Sequence, residues 1–177
     1  ILSSVKAVTT GTNIAGPFAG SLMSEMGAQV IQIEHPLYPC GTRGTYAYAQ
    51  DHRNGFSVAL DTHSKRGMEV FKKILAWADV WVESGRPGTY ARLGLTDEYI
   101  WENINPRLAI VHVSGYGQYG PDKDKAAYDV SGQAMGGYMY MNGPSPTAAP
   151  LKVNPYLSDY ATALNACICA LSLVIHA

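Results

Sequence analysis

An excess of charge of either sign is what this sequence most plainly lacks: its 13 basic and 14 acidic residues are interspersed and leave a net charge of −1. That removes the broad basic field that nucleic acid or an anionic membrane surface calls for, although a local phosphate contact needs no such field. Cysteine is scarce as well. Cys40, Cys167 and Cys169 form an odd set, and the single residue between the last pair suits neither a zinc knuckle nor a redox motif. They read as reduced and mostly buried, in a cytoplasmic setting. No secretory leader is expected from Ile1-Leu2-Ser3-Ser4, which leads straight into a strand-like run without a basic n-region and apolar h-region. His35, His52, His63 and His112 lie far apart in sequence without metal-ligand spacing, so no metal is expected. His112, on a strand, reads as packed in the core. No Gly-x-Ser-x-Gly elbow is present either, and Ser114-Gly115 alone does not make a hydrolase. The start without Met and the stop at Ile175-His176-Ala177, with no C-cap or polar tail, read as a piece of something longer.

What is present is one domain's worth of chain. The 177 residues can bury a real core without disulfide or metal staples, and residues 1–177 are expected to form a single unit. Val5–Val8 reads as a strand, Phe18–Met26 as a helix with Pro17 near its first turn and Gly27 just past its end, and Gln29–Glu34 as a second strand. This βαβ opening implies an α/β fold with a parallel sheet and a right-handed crossover. A loop from His35 to Asn54 is too long for a mere connector. Further strands are expected at Phe56–Asp61, Asp79–Glu83 and Leu108–Val113, with helices capped by Ser64 and Thr96 and a short helix carrying Arg92 after the Ser84–Gly88 turn. The Met- and Gly-rich segment from Tyr128 to Met141 is expected to be helical and closely packed. The apolar run from Ala161 to Ala177 is a little short for a membrane span and is broken by Thr162, Asn165 and Ser172, so a buried helix is expected there.

Two stretches carry chemistry. Gly115-Tyr116-Gly117-Gln118-Tyr119-Gly120 matches the dinucleotide glycine pattern and follows a strand, but Pro121 and four charges follow where a helix should open. Pro155-Tyr156-Leu157-Ser158-Asp159-Tyr160 places a carboxylate where a polar loop meets the long apolar run. Either Ser158 or Asp159 is the helix N-cap, and the helix dipole favours an ionised carboxylate there. Asp159 is thus a helix cap, a nucleophile, or both.

Four segments taken together resemble the class III (family III) CoA-transferases. They are Ala15-Gly16-Pro17-Phe18-Ala19-Gly20 with Met26–Ile31 and Ile33-Glu34; Ser57–Asp61; Ala78-Asp79-Val80 through Glu83, with Arg86-Pro87-Gly88 and Arg92-Leu93-Gly94; and Asn105–Leu108 with Ser114–Gln118. They run in the family's order over nearly the whole chain. The resemblance implies a Rossmann-like parallel sheet flanked by helices, the N-terminal half of a large domain whose small domain and C-terminal segment are absent here.

It also implies a reaction: an aspartate before a small-residue-rich helix attacks an acyl-CoA thioester, giving a mixed anhydride and then an enzyme-bound CoA thioester. The matching position is Asp159. The implied CoA-contacting positions are Thr12, Ala15, His35, Leu60, His63, Ser84, Gly85, Arg92, Leu93 and Tyr128. Ala15, Leu60, Arg92 and Tyr128 match the transferases, whereas Thr12, Ile14, His35, His63, Ser84-Gly85 and Ala126 depart from formyl-CoA transferase and argue against formyl-CoA as donor. The implied partners are an acyl-CoA and a carboxylic acid, with coenzyme A as substrate moiety, no tightly bound cofactor, no nucleic acid and no membrane, in a homodimer of interlocked chains. The racemase branch uses a His before an Asp where this chain reads Tyr128-Asp129, and tyrosine is a poor exchange for a base working near neutrality. Glu34-His35-Pro36, the Ser114–Gly120 run and Asp159-Tyr160 look nearest to carnitine-type transferases. The remaining alternatives are an α-methylacyl-CoA racemase-like enzyme and a truncated noncatalytic module that binds CoA or a partner.

Overall fold

The computed structural model describes residues 1–176; Ala177, where the expected last helix ends, lies outside the described residues. Five parallel strands, β1 (Lys6–Thr10), β2 (Gln29–Glu34), β3 (Phe56–Ala59), β4 (Val80–Glu83) and β5 (Ala109–His112), form one sheet in the order β3-β2-β1-β4-β5. The helices are α1 (Ala15–Glu25), α2 (Tyr46–Asp51), α3 (Lys65–Trp77), α4 (Asp97–Asn103), α5 (Asp129–Met135), α6 (Tyr138–Met141) and α7 (Leu157–His176), with a 3₁₀ turn at Ala91–Leu93.

Alternation along the strands divides the core. Successive strand residues face opposite sides, so Ala7, Val80 and Val82 point to one layer and Val8 and Trp81 to the other. The first layer is closed by Ala19 and Met23 of α1 and by Ala163, Ala166, Cys167 and Ala170 of α7. The second is closed by Phe71 and Leu75 of α3 and Ile100 of α4. With both faces covered, β4 is buried along its whole length, as a central parallel strand must be. Trp81 keeps its indole N–H satisfied by donating to Thr10 Oγ1 at 2.9 Å.

The expected caps form. Ser64 Oγ accepts from Gly67 N at 3.0 Å, and Thr96 Oγ1 accepts from Tyr99 N at 3.2 Å. Other expectations are corrected. The His35–Asn54 stretch contains α2, capped by Thr45 Oγ1, which accepts from Tyr48 N at 3.4 Å. The Tyr128–Met141 segment is two short helices rather than a closely packed one, with Met135, Tyr140 and Met141 exposed. α7 starts at Leu157, so Ser158 and Asp159 are its second and third residues and neither is the N-cap. Nor is α7 a buried helix: it is long and apolar enough to cross a membrane by length and composition, and its small-residue face packs against α1, β5 and β4 while its start meets α5.

His112 is not a core residue of the ordinary kind. Its Nδ1 lies 3.1 Å from Glu83 Oε2 and its Nε2 3.0 Å from Asp97 Oδ2, linking β5 to β4 and α4. The bond with Glu83, only partly opposed by burial and reinforced by Asp97, raises its pKa to about 9. The imidazolium therefore stabilises the fold fully below the ordinary histidine value, and that stabilisation is lost as pH rises through about 9. His112→Gln should lower the thermal midpoint at pH 6 by an amount corresponding to ~2 kcal/mol, a deficit that narrows above pH 9 in a melting series. An equal deficit at every pH would contradict the ion-pair account.

Candidate active site

β1 and β4 lie side by side while their following segments diverge, α1 leading toward β2 and the 3₁₀ turn toward β5. Such a reversal opens a crevice at the carboxyl ends of the strands, where ligands of open α/β sheets bind. Here it is a cavity of about 340 Å³, lined by Thr12–Ala15 after β1, Ser84–Pro87 after β4, Val113–Gly115 after β5, the Lys125–Tyr128 segment, and Gly132, Ser158, Asp159 and Thr162 of α5 and α7. The loop after β1 and the first turn of α1 approach the β4 turn so closely that a Cβ on Gly11 or Gly16 would strike Ser84 Oγ, and the φ of +132° at Gly11 independently favours glycine there. Glu83 shapes the floor from below: its Oε1 accepts from Gly85 N at 2.6 Å while its other oxygen holds His112.

The expected site residues sort along this edge. Thr12, Ala15, Ser84, Gly85, Tyr128 and Asp159 meet in the cavity. His35 follows β2, and Leu60 and His63 follow β3, so they lie outside the cavity, farther along the same carboxyl edge. From β3 to β4 the edge crosses three strand spacings, about 15 Å, the reach of an extended ligand rather than a compact one. Arg92 and Leu93 sit in the 3₁₀ turn; Arg92 is exposed and folds back to donate to Pro87 O at 3.3 Å.

The histidines are not all apart. Donor atoms of His35, Asp61 and His63 lie within 4.8 Å of one another, with Asp61 Oδ1 3.5 Å from His35 Nε2 and 3.7 Å from His63 Nδ1. His35 Nδ1, however, accepts the Leu37 N–H at 3.1 Å, so the neutral ring carries its proton on Nε2 and turns an N–H, not a lone pair, toward Asp61. The cluster is built as two imidazoles around a carboxylate, the reverse of a metal-ligating histidine, which donates its outer nitrogen.

Asp159 stands beside a second carboxylate that the sequence reading left without a role. Asp129, buried in the first turn of α5, accepts from Ser158 N at 2.9 Å, from Ser158 Oγ at 3.0 Å and from Gln133 Nε2 at 2.8 Å, and lies 3.4 Å from Lys152 Nζ. Burial alone would raise its pKa, but these bonds outweigh it and hold Asp129 below the usual carboxylate range. Ser158 Oγ also donates to the Asp129 carbonyl at 2.7 Å, and α5 and α7 meet so closely that a Cβ on Gly132 would stand 2.7 Å from that hydroxyl. The signal for this pair was a serine next to Asp159 and a carboxylate next to Tyr128; only the fold joins them.

The consequence falls on Asp159. Half-buried, it receives no hydrogen bond among the described residues, and its pKa rises from 3.8 to about 6, through burial first and then through the charge of Asp129, with Lys152 opposing. Desolvation beside a fixed negative charge thus outweighs the helix end expected to keep the carboxylate easily ionised.

The family profile described as CoA-transferase family III matches residues 2–177. The chain belongs to CoA-transferase family III. The bile acid CoA-transferase BaiK of Clostridium scindens is 51% identical over 99% of this chain, which spans 40% of BaiK. Among solved structures, a CAIB/BAIF family protein from Brucella suis superposes with a TM-score of 0.92 at 29% identity, over 98% of this chain and 49% of that one. Rv3272 from M. tuberculosis superposes with a TM-score of 0.89 at 27% identity, over 99% of this chain and 49% of that one. This family III chain therefore spans less than half the length of these relatives, and the α/β sheet with its flanking helices is the part they share.

A raised folded pKa means that the folded state holds the Asp159 proton more tightly, so stability falls as pH rises between 3.8 and about 6. Asp159→Asn should raise the thermal midpoint at pH 7 by an amount corresponding to ~1 kcal/mol, discounted for partial exposure, with the gain fading by pH 4. Melts at the two pH values check this; no gain at pH 7 would contradict the strained carboxylate.

Proposed function

We propose that this chain is the nucleophile-bearing half of the large domain of an acyl-CoA:carboxylate CoA-transferase. One observation carries the reading: in a family III chain, Asp159 faces the switch-point cavity with its carboxylate half-buried and, among the described residues, without a hydrogen bond. With a pKa of about 6 it is about nine-tenths ionised at pH 7, yet poorly solvated, which suits a nucleophile. Its oxygen attacks the thioester carbonyl, the C–S bond breaks, and CoA leaves as the thiolate, giving an aspartyl mixed anhydride. The thiolate returns to the aspartyl carbonyl, releases the first acid and leaves an aspartyl-CoA thioester. The acceptor carboxylate then attacks that thioester, and the freed thiolate closes the exchange on the acceptor's new anhydride, regenerating Asp159. Each step trades one activated acyl bond for another, so neither oxidant nor external energy is needed.

We place CoA along the carboxyl edge, over Thr12, Ala15, Ser84, Gly85 and Tyr128 in the cavity and toward Leu60, His35 and His63 beyond it; the supporting observation is that these residues follow the strands of one sheet edge. The acid we assign is of the bile-acid class. Identity of 51% to BaiK over 99% of the chain supports this more strongly than the few residues from Glu34 to Pro36 support carnitine. Tyr128 preceding Asp129 favours transferase over racemase chemistry, because a phenol is a weak base near neutrality. The exposed Leu164, Ile168 and Leu173 of α7 suit cover by the rest of a longer chain or by a second copy, and they favour a second reading as a noncatalytic CoA- or partner-binding module.

Incubation with a bile-acyl-CoA followed by hydroxylamine should leave a hydroxamate on Asp159 by peptide mass spectrometry, at a rate that rises with pH through about 6. Asp159→Asn should give none. CoA binding without any adduct, across bile-acyl, carnitinyl and formyl-CoA, would select the noncatalytic module.

A further inference from the structure

Away from the Asp159 carboxylate, the segment joining β2 to α2 assembles a second set of reactive groups. Cys40 Sγ lies 3.4 Å from His52 Nε2 and 2.9 Å from Thr42 Oγ1, and it accepts the backbone N–H of Asn13 at 3.3 Å. His52 Nδ1 is 2.7 Å from Gln32 Oε1. An amide oxygen can only accept, so Nδ1 carries the ring proton and Nε2 is left to take a proton from the thiol. Thiol, imidazole and orienting amide in that order are the constellation of an activated cysteine, in which the base is itself held by a third group.

The surroundings hold this geometry. The Tyr48 ring stacks on His52 at 4.1 Å, and its ring lies 4.6 Å from the Arg43 guanidinium carbon. Arg43 is clamped by Glu34, whose Oε2 accepts from Cys40 N at 2.9 Å. Gln32 Nε2 is left buried without a partner, a cost that a fold retains where the amide oxygen is needed elsewhere. The charged and titratable groups around the sulfur are therefore Glu34, Arg43, Tyr48 and His52, with Asp51 next to His52. Burial would raise the thiol, but the bonds with His52, Thr42 and Asn13 outweigh it and bring the pKa down to about 7.

Access and space decide what reacts. Cys40 is only 2% exposed, which bars bulky disulfides and leaves molecules of the size of hydrogen peroxide. Partners on three sides leave no room for another oxygen on the sulfur unless one of them moves. The one least held is Asn13, in a short loop with left-handed backbone (φ 68°) that lines the cavity.

We propose that Cys40, poised by His52 and Gln32, is a peroxide-reactive thiol whose oxidation displaces the Asn13 loop at the cavity. The thiolate attacks one peroxide oxygen, an S–O bond forms and the O–O bond breaks. The leaving hydroxide takes the proton held by His52 and departs as water. Sulfur loses two electrons and the peroxide gains them, leaving a sulfenic acid. None of this depends on what the cavity binds.

The test exposes the full chain to hydrogen peroxide at pH 7, unfolds it in dimedone and maps adducts by mass spectrometry, with exposed Cys169 as internal reference. Cys40 should react roughly tenfold faster than Cys169, and His52→Ala should slow Cys40 by about tenfold without changing Cys169. Amide exchange at Thr12–Ile14 should speed up on oxidation, and should not in Cys40→Ser. Oxidation of Cys169 ahead of Cys40, or an unchanged Cys40 rate in folded His52→Ala, overturns the activated thiol; oxidation without faster exchange overturns the displacement. If His52→Ala fails to fold by circular dichroism, the wild-type ratio decides alone.

Discussion

The buried carboxylate of Asp129 is the interaction on which the site depends. It receives the backbone and side chain of Ser158, the amide of Gln133 and the ammonium of Lys152, and so fixes the start of α7 against α5. Every bond it takes favours its own charge, and that charge adds to the burial that already makes its neighbour costly to ionise. Two carboxylates with oppositely shifted affinities for protons follow from one being fully partnered and the other left bare. The position of Asp159 and part of its raised proton affinity thus trace to the same buried carboxylate.

Below that pair, the sheet supplies the platform. Glu83 at the end of β4 carries a turn with one oxygen and an imidazolium with the other, so the cavity floor and the β4–β5–α4 junction are one hydrogen-bonded unit. Glycines at 11 and 16 let the β1 loop come within contact of Ser84. Gly11 and Gly16 thus leave room for the Ser84 hydroxyl, and α5 and α7 close the cavity from the other side.

How much of this the sequence discloses depends on the range of the interactions involved. Strands with apolar runs, the βαβ opening and the caps at Ser64 and Thr96 are local, and they stand in the structure within a residue or two. Helix α2 was hidden because only Thr45 marks it within a glycine-rich loop, and its stability comes from packing and from Ser21, which donates to Asp51 O at 2.6 Å. The start of α7 was misplaced because Ser158 satisfies a group 29 residues away rather than its own helix end. His112 and Asp129 were unreadable for the same reason: a lone ionisable residue in a string declares neither its partners nor its burial. Family resemblance singled out Asp159 together with Thr12, Ala15, Ser84, Gly85 and Tyr128, which line one cavity. The wide separation of His35, Leu60 and His63 from them became visible only with the strand order.

The outward face of α7 makes that helix a lever. Its inner stripe of Ala163, Ala166 and Ala170 rests on the core while Leu164, Ile168 and Leu173 point away, so one rod joins an uncovered apolar surface to the Asp159 carboxylate. Twenty residues of helix extend about 30 Å. A tilt of about 2° at the far end therefore carries Asp159 through about 1 Å. The outer surface of α7 and the position of Asp159 are thus mechanically joined through a single helix.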